Sequence, residues 1–244
     1  MRLATIYMAN QFYDPGDQRA AKVNRLFARI AGRYDLINDL QSLGLHRRWK
    51  RLVIRKANVR AGDRALDLCC GTGDIAFGLA RAGARATGLD FTMPMLELAR
   101  AKRSAGSNPQ FIHADATNIP FSNASFDIVT VGYGLRNLAN WETGLSEMAR
   151  VAKPGGRLLV LDFGKPDNPV WRTVYFAYLK LFVPVLGKIF CGDASAYAYI
   201  LESLKYYPAQ PGVAASMREL GLVEVEVANL LGGIMSIHYA KKAR

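Results

Sequence analysis

From residue 64 onward, short apolar runs alternate along the chain with stretches of helical periodicity. Apolar runs of this length predict strands, and strands that alternate with helices are typical of a parallel sheet covered by helices on both faces. We therefore expect a doubly wound α/β fold. The predicted strands lie near 64–69, 86–89, 110–113, 126–131 and 157–162, and the predicted helices at 74–81, 94–103 and 142–152.

The end of the chain carries two further β-prone runs, at 222–228 and 232–239, after a helix near 212–220. They would complete the sheet. The sequence KPGG at 153–156 predicts the end of a helix and a turn before the fifth strand, because proline and glycine interrupt regular structure.

Before the predicted sheet, basic residues recur every three or four positions and apolar residues fall on another face. This pattern predicts two amphipathic basic helices, at 18–32 and 46–58. Of the formal net charge of +12, nine units come from residues 1–60, which hold 13 Lys and Arg against 4 Asp and Glu. Such a surface would attract nucleic acid, anionic lipid or an acidic ligand, and charge alone does not choose between them.

Two further features bear on location. The first residues show no pattern of a signal peptide, so we expect a cytoplasmic protein. We also expect reduced thiols, because neither a disulfide nor a metal-binding spacing is found among Cys69, Cys70 and Cys191. The aromatic stretch at 170–190 is interrupted by charged residues and a proline. We expect it to lie in an interface and not to span a membrane.

The first predicted strand ends in LDLCCGTGD, residues 66–74. Gly71 and Gly73 allow the backbone to turn sharply and approach a ligand at the carboxyl end of a strand, where open α/β sheets place their sites. A dinucleotide-binding fold uses the same arrangement, but Ala76 stands where its motif has a third glycine. Asp67 and Asp74 would repel a pyrophosphate and attract a sulfonium that carries an ammonium group. The motif therefore favours a cationic cofactor.

The next two strands also end in carboxylates. Asp90 stands where a carboxylate would bind both hydroxyls of a ribose, with two charge-assisted hydrogen bonds of roughly 1.5 to 3 kcal/mol each. Asp115 would accept from an adenine amine, and the backbone of Ala116 would address the ring. Three acidic strand ends at these spacings predict a nucleoside site.

Five segments carry a resemblance to a known family: YDLINDLQSLGLHRRW at 34–49, YGLRNL at 133–138, RVAKPGGRLLVLDF at 150–163, AYAYILESLKYYP at 196–208 and GGIMSIHY at 232–239. With them the chain resembles the class I methyltransferases, and among these the ubiquinone/menaquinone biosynthesis C-methyltransferase family. It departs from the family pattern at Ile37, where methionine is usual, and at Asp162 and Gly164, where glutamate and serine are usual.

The resemblance implies a Rossmann-like sheet of seven strands, mostly parallel with a C-terminal antiparallel hairpin. It implies a basic helical region at 1–60 that covers the active site and a methyltransferase domain at 61–244 with inserted helices at about 168–208. S-adenosylmethionine would be the methyl donor and a polyprenylated quinol, either demethylmenaquinol or a methoxy-polyprenyl benzoquinol, the acceptor. The implied cofactor contacts are Thr72, Asp90, Asp115, Ala116 and Gly132, beside Asp67, Gly71 and Gly73 of the glycine motif.

Methylation of a quinol carbon requires removal of a hydroxyl proton and alignment of the ring with the donor, and it requires no metal. The candidate catalytic residues are Arg136, Asn137, Tyr34, Asp35 and His46, with Asn38 beside them and Tyr197 and Tyr199 covering the pocket. Arg136 would polarise a phenolate, unless it forms a salt bridge to a nearby aspartate. His46 would serve as a base or pack as a buried histidine, so the base stays unassigned.

A substrate with a polyprenyl tail resides in a bilayer, so we expect peripheral contact with an anionic membrane through the basic helices and the aromatic stretch. An RNA methyltransferase would explain the charge equally well, but an enzyme that methylates amino groups usually carries an N/D-P-P-Y/F element where this chain has YGLRN, and we expect no nucleic acid. A catalytically silent cofactor-binding partner, a homo-oligomer and a biosynthetic complex all remain open.

Overall fold

The structure is a computed structural model that describes residues 18–102, 109–192 and 195–244. Within these residues seven strands form one sheet in the order β3-β2-β1-β4-β5-β7-β6. The strands β1 to β5 run parallel, and β7 pairs antiparallel with both β5 and β6. The predicted doubly wound sheet with a C-terminal antiparallel hairpin is confirmed. The strands are β1 Arg64–Leu68, β2 Arg85–Asp90, β3 Gln110–His113, β4 Phe126–Gly132, β5 Ala152–Phe163, β6 Leu222–Leu230 and β7 Met235–Lys242.

Among the described residues, three α-helices precede the first strand and six follow it. The two predicted basic helices are α1 and α3, and a further helix, α2, lies between them. The helices are α1 Arg19–Ile30, α2 Tyr34–Ser42, α3 Leu45–Ala57, α4 Asp74–Arg81, α5 Met93–Ala101, α6 Trp141–Val151, α7 Pro169–Cys191, α8 Ser195–Tyr206 and α9 Ala209–Glu219.

The central strands are buried on both faces, which is why their sequences read as continuous apolar runs. On one face, Leu66 of β1 and Val129 of β4 pack in a core that includes residues of α1, α6, α7 and α8. On the other, Ala65 and Ile128 pack beneath α3 and α4. The order of strands reverses between β1 and β4, each of which starts a run toward one edge. Sheets of this kind bind ligands in the crevice at such a switch point.

The fifth strand begins earlier than predicted. Ala152 already pairs with Phe126, and the next pair joins Ile128 to Arg157, so the register shifts across KPGG. Gly155 has φ of 75°, a left-handed conformation that suits glycine. The predicted turn is therefore a bulge within β5, and α6 ends directly at the strand.

The aromatic stretch forms one continuous helix, α7, with Pro184 inside it. We expected the charged residues and the proline to make this stretch unsuitable as a membrane span. By length and composition alone, however, the segment Pro169–Phe190 could cross a membrane. In this fold, however, Tyr175, Leu179 and Val183 are buried against the core, four residues apart on one face. Four sequence predictions lie outside the described residues and side chains: the N-terminus at 1–17, the end of the predicted helix at Arg103, and the side chains of Cys191 and Tyr197.

Candidate active site

The glycine loop joins β1 to α4 at the switch point. Gly71 and Gly73 have φ of 53° and 86°. A Cβ on Gly73 would also lie 2.8 Å from the ring of Phe111, so this glycine is required for packing as well as for the turn. From the next strand, one oxygen of Asp90 accepts from the Gly71 amide at 2.7 Å and the other from the Thr92 amide at 2.8 Å. The carboxylate at the end of β2 thus fixes the loop.

Beside this loop lies a cavity of about 780 Å³, which we call the glycine-loop cavity. It runs along the carboxyl ends of β1, β2 and β4. On the side away from the strands it is lined by Phe27 of α1 and Tyr34 of α2. The structure brings together there most of the predicted cofactor residues. Its walls include Gly71, Asp90, Asp115, Ala116 and Gly132.

Two of these residues offer specific contacts. One oxygen of Asp115 accepts from the amide and the hydroxyl of Thr117, both at 2.8 Å, which leaves its other oxygen available. A Cβ on Gly132 would lie 2.6 Å from the side chain of Ile75. A larger residue at this position would require the Ile75 side chain to shift, and any contact from Gly132 itself is made by the backbone.

Asp67 and Thr72 line a smaller adjoining cavity of about 320 Å³. Asp67 accepts from the Thr130 hydroxyl at 2.7 Å, and burial raises the pKa of its carboxyl group to about 7. The Thr72 hydroxyl donates to Asp35 at 2.8 Å, and Lys102 contacts the other oxygen of Asp35 at 2.5 Å. Asp35 lines neither of these two cavities, and it does not line the cavity described next, which holds other predicted catalytic residues. The structure therefore places Asp35 as a support between α2 and the glycine loop.

A second cavity of about 710 Å³, which we call the helix cavity, lies among α2, α3, α7 and α8. Of the predicted catalytic residues, Tyr34, Arg136 and His46 line it together with Asn38 and Tyr199. Tyr34 also lines the glycine-loop cavity, and so does Tyr133. The two cavities therefore meet at a wall made of two tyrosine side chains.

Arg136 is buried, and its guanidinium pairs with Asp162 at 2.5 Å. The salt bridge considered from sequence is present, and the shorter Asp162 reaches its partner. The guanidinium carbon also lies 4.4 Å from the ring centre of Phe163. Burial alone would lower the pKa of Arg136, but Asp162 holds it above the ordinary value, so the side chain stays charged. Asn137 faces the glycine-loop cavity and donates to the Tyr133 carbonyl at 3.1 Å.

The helix cavity is rich in tyrosine hydroxyls that remain protonated. Burial raises the pKa of Tyr34 and of Tyr199 to about 12, and it also raises the pKa values of Tyr133 and Tyr175 above the ordinary value. The Tyr178 hydroxyl donates to the Gln41 carbonyl at 2.7 Å and so joins α7 to α2. The lining thus offers neutral donors, one cation and apolar surface.

His46 is 4% exposed and its ring lines the helix cavity. Its Nε2 lies 2.8 Å from Oδ1 of Asp39. The same carboxylate accepts two hydrogen bonds from Arg47, one on each oxygen. Burial, followed by the charge of Lys50, lowers the pKa of His46 below its ordinary value. The imidazole is therefore neutral at neutral pH.

Sequence reasoning missed several residues of this site. Tyr175 and Tyr178 belong to no sequence pattern, and Tyr133 begins the YGLRNL segment but was not predicted as a site residue. The role of all three follows from the packing of α7 against α2 and the end of β4. Asp39 was missed because its partner lies seven residues away across a helix break. An acidic residue followed by the basic run HRR is the one signal that points to this contact.

The chain is similar to known proteins in sequence and in fold. The family model of the ubiE/COQ5 methyltransferase family matches residues 16–242. The ubiquinone/menaquinone biosynthesis C-methyltransferase UbiE of Ectopseudomonas mendocina is 42% identical over 234 residues, which is 92% of this chain and 90% of that protein. The protein of the same name from Azotobacter vinelandii is 40% identical over 234 residues, with 93% and 92% covered.

Solved structures share the fold at low identity. A methyltransferase of Thermotoga maritima superposes with a TM-score of 0.60 at 18% identity, covering 89% of this chain and 99% of that one. Phosphoethanolamine N-methyltransferase 2 of Haemonchus contortus, in complex with S-adenosyl-L-methionine, superposes with a TM-score of 0.60 at 15% identity, covering 81% and 53%. These likenesses concern the fold, whereas the family model and the relatives cover nearly the whole chain. The chain therefore belongs to the ubiE/COQ5 methyltransferase family.

Proposed function

We propose that this enzyme transfers a methyl group from S-adenosylmethionine to a ring carbon of a polyprenylated quinol, as in respiratory quinone biosynthesis. The observation that carries the proposal is the arrangement of two cavities that meet at Tyr34 and Tyr133, one lined by strand-end carboxylates and the other by aromatic and apolar side chains. The relatives' name, ubiquinone/menaquinone biosynthesis C-methyltransferase, supports the choice of acceptor.

The residues of the glycine-loop cavity fit S-adenosylmethionine. Each oxygen of Asp90 already accepts one backbone bond, and a carboxylate oxygen has capacity for a second, so Asp90 can also accept from two ribose hydroxyls. The free oxygen of Asp115 would accept from the adenine amine, and the carboxylate of Asp67 would attract the ammonium group. When bound, S-adenosylmethionine supplies an electrophilic methyl group. The protein holds it with Gly71, Ala116 and Gly132 lining the cavity closely.

The helix cavity fits an uncharged aromatic ring with two hydroxyls. Its aromatic side chains exclude water, and Arg136 remains charged beside Asp162 to stabilise negative charge on a ring oxygen. Neutral tyrosine hydroxyls offer further hydrogen bonds. Alignment in such a cavity contributes about 7 to 11 kcal/mol to catalysis, more than a general base does.

We also propose that an anionic bilayer covers the outer side of the helix cavity. Apolar side chains there lie on one face of each of two contacting helices, and we call this surface the apolar face. Exposed apolar patches of this kind mark a protein or membrane interface. A polyprenyl acceptor favours a membrane over a protein as the partner of this surface, because such an acceptor resides in lipid. Exposed Lys180 and Lys188 on α7 would each add about 1 kcal/mol to membrane binding near anionic headgroups. The apolar face comprises Leu36 and Leu40 on α2, Leu43 directly after the end of α2, and Val174, Leu181, Phe182, Val185 and Ile189 on α7.

The test is to incubate the purified protein with methyl-labelled S-adenosylmethionine and, separately, demethylmenaquinol, a methoxy-polyprenyl benzoquinol and total RNA. Label in a reduced quinone supports the proposal and identifies the ring. Label only in RNA, or in none of the acceptors despite tight cofactor binding, contradicts it. Cosedimentation with anionic vesicles, and its absence with neutral ones, tests the membrane contact.

A further inference from the structure

We infer that His46 is the general base of the reaction and that Arg47 and Asp39 orient it. The inference rests on the proposed quinol acceptor, because it assigns the group that takes a hydroxyl proton in the helix cavity. His46 lines that cavity, bonds through Nε2 to Asp39, and has a buried Nδ1 without a hydrogen-bond partner among the described residues.

The hydrogen bonds determine which ring nitrogen is free. Arg47 contacts both oxygens of Asp39, at 2.7 and 2.5 Å, and lowers the pKa of that carboxyl group to about 2. Asp39 is therefore ionised and can only accept hydrogen bonds. Nε2 of the neutral His46 must carry the hydrogen that lies between them. Nδ1 then presents an unprotonated lone pair, which is the form that a base requires.

The other groups of the helix cavity are poorly suited to take a proton. Arg136 stays charged, and burial raises the pKa values of the tyrosines, so all of them already hold their protons at neutral pH. Asp162 is occupied by Arg136. Among the described residues that line this cavity, His46 is the one with a basic nitrogen lone pair.

An unpartnered buried nitrogen costs stability, so its position is informative. His238 on β7 offers a comparison, because it too is buried, bonds through Nε2 to a carbonyl at 3.1 Å, and has an unpartnered Nδ1. It lines neither large cavity, and its partner is uncharged. His46 differs by the carboxylate behind it and the cavity beside it, which together resemble the base of a catalytic triad.

The proton balance is as follows. The O–H bond of the quinol breaks, its electron pair stays on the ring oxygen, and the proton forms an N–H bond at Nδ1. Asp39 stabilises the resulting imidazolium through Nε2. The ring carbon would bond to the methyl group as the S–CH3 bond breaks, with the electron pair of that bond left on sulfur. Water then takes the ring hydrogen as a proton, and the C–H electron pair restores the aromatic ring. The oxygen then recovers a proton, and one proton in total is released. Asp39 is 30% exposed, so it connects the buried imidazole to solvent.

The charged groups around His46 define its pH response. Burial and Lys50 lower the pKa of His46, and Asp39 and Asp74 oppose this shift. Because the pKa lies below the ordinary value, wild-type kcat should stay level through neutral pH and fall only as the pH drops below about 6.5. The other titratable or charged residues that face the same cavity, Tyr34, Tyr133, Arg136, Tyr175, Tyr178 and Tyr199, keep their protons throughout this range.

The test compares His46→Gln with His238→Gln as a matched control. The glutamine amide at position 46 can still donate to Asp39 but offers no base, so we expect kcat to fall about 10² to 10⁴-fold with S-adenosylmethionine affinity unchanged. The acid limb of the pH profile should disappear, and the rate should rise with pH as the quinol ionises by itself. His238→Gln should change kcat less than threefold and retain the acid limb.

A second measurement does not depend on activity. Nitrogen NMR of the three histidines, assigned with these variants, should show His46 with hydrogen on Nε2 and a bare Nδ1 at neutral pH, and Asp39→Asn should reverse that preference. The opposite tautomer in the wild type overturns the inference, as does a His46→Gln enzyme with wild-type kcat and acid limb. If the wild type itself does not methylate a quinol, it is the proposed function that fails.

Discussion

The glycine-loop cavity and the helix cavity are similar in size, yet the chain builds them in different ways. The first is made by the ends of neighbouring strands, and its carboxylates follow directly from the order of the sheet. The second is made mainly by helices from two distant parts of the chain, with Tyr178 of α7 bonded to Gln41 of α2. A parallel sheet therefore fixes a cofactor site locally, whereas the acceptor site depends on how added helices pack.

This difference predicts that variants in the two cavities separate chemistry from cofactor binding, and Arg136 should show it most strongly. Arg136→Met leaves the buried Asp162 with two backbone hydrogen bonds but without a positive charge beside it, which should cost about 3 to 5 kcal/mol of unfolding free energy. We expect kcat to fall at least 100-fold, with S-adenosylmethionine affinity within a few-fold of wild type. Urea unfolding, calorimetry and turnover measure the three quantities.

The double variant Arg136→Met/Asp162→Asn is the control for that result, because it removes both charges while the amide oxygen at position 162 can still accept from backbone N–H groups. It should regain most of the lost stability and none of the activity. If methyl transfer returned with stability, Arg136 would serve only to neutralise Asp162, and the helix cavity would need another group to stabilise a phenolate.

On the cofactor side, Asp90→Ala should be the most damaging change. It removes the acceptor of the Gly71 and Thr92 amides as well as two expected ribose bonds of roughly 1.5 to 3 kcal/mol each. We expect S-adenosylmethionine to bind at least 100-fold more weakly by calorimetry, while Asp115→Ala, which loses one expected bond to adenine, should weaken it about tenfold. Equal losses in the two variants would show that Asp90 acts only by shaping the loop.

The same difference explains what sequence could predict. The parallel strands, the glycine loop and Asp90 follow from motifs in which adjacent residues form the site, and the structure places them together. Asp35 bonds Thr72 of the glycine loop and is absent from the helix-cavity lining because α2 presents Tyr34 and Asn38 to the helix cavity instead. That outcome depends on the rotation of one helix against its neighbours, and the spacing of residues within the helix does not determine it.

The smallest effect should appear on the apolar face, whose side chains line neither cavity. Leu181 and Ile189 are 68% and 66% exposed. Replacing both with serine should weaken binding to anionic vesicles by about 30-fold, since each partly immersed side chain contributes about 1 kcal/mol. KM for a long-tailed quinol in vesicles should rise accordingly, and kcat for a short-tailed soluble quinol should not change.

Val223→Ser is the matched control, because Val223 is 45% exposed on β6 and lies outside the apolar face. It should leave vesicle binding and KM unchanged. An equal loss with the short-tailed quinol would mean that the serine variants disturb the helix cavity through α7. If the wild type did not bind vesicles and sedimented as a dimer that the two serines dissociate, the apolar face would contact a second copy of the chain. The acceptor would then have to reach the helix cavity without a bilayer against α2 and α7.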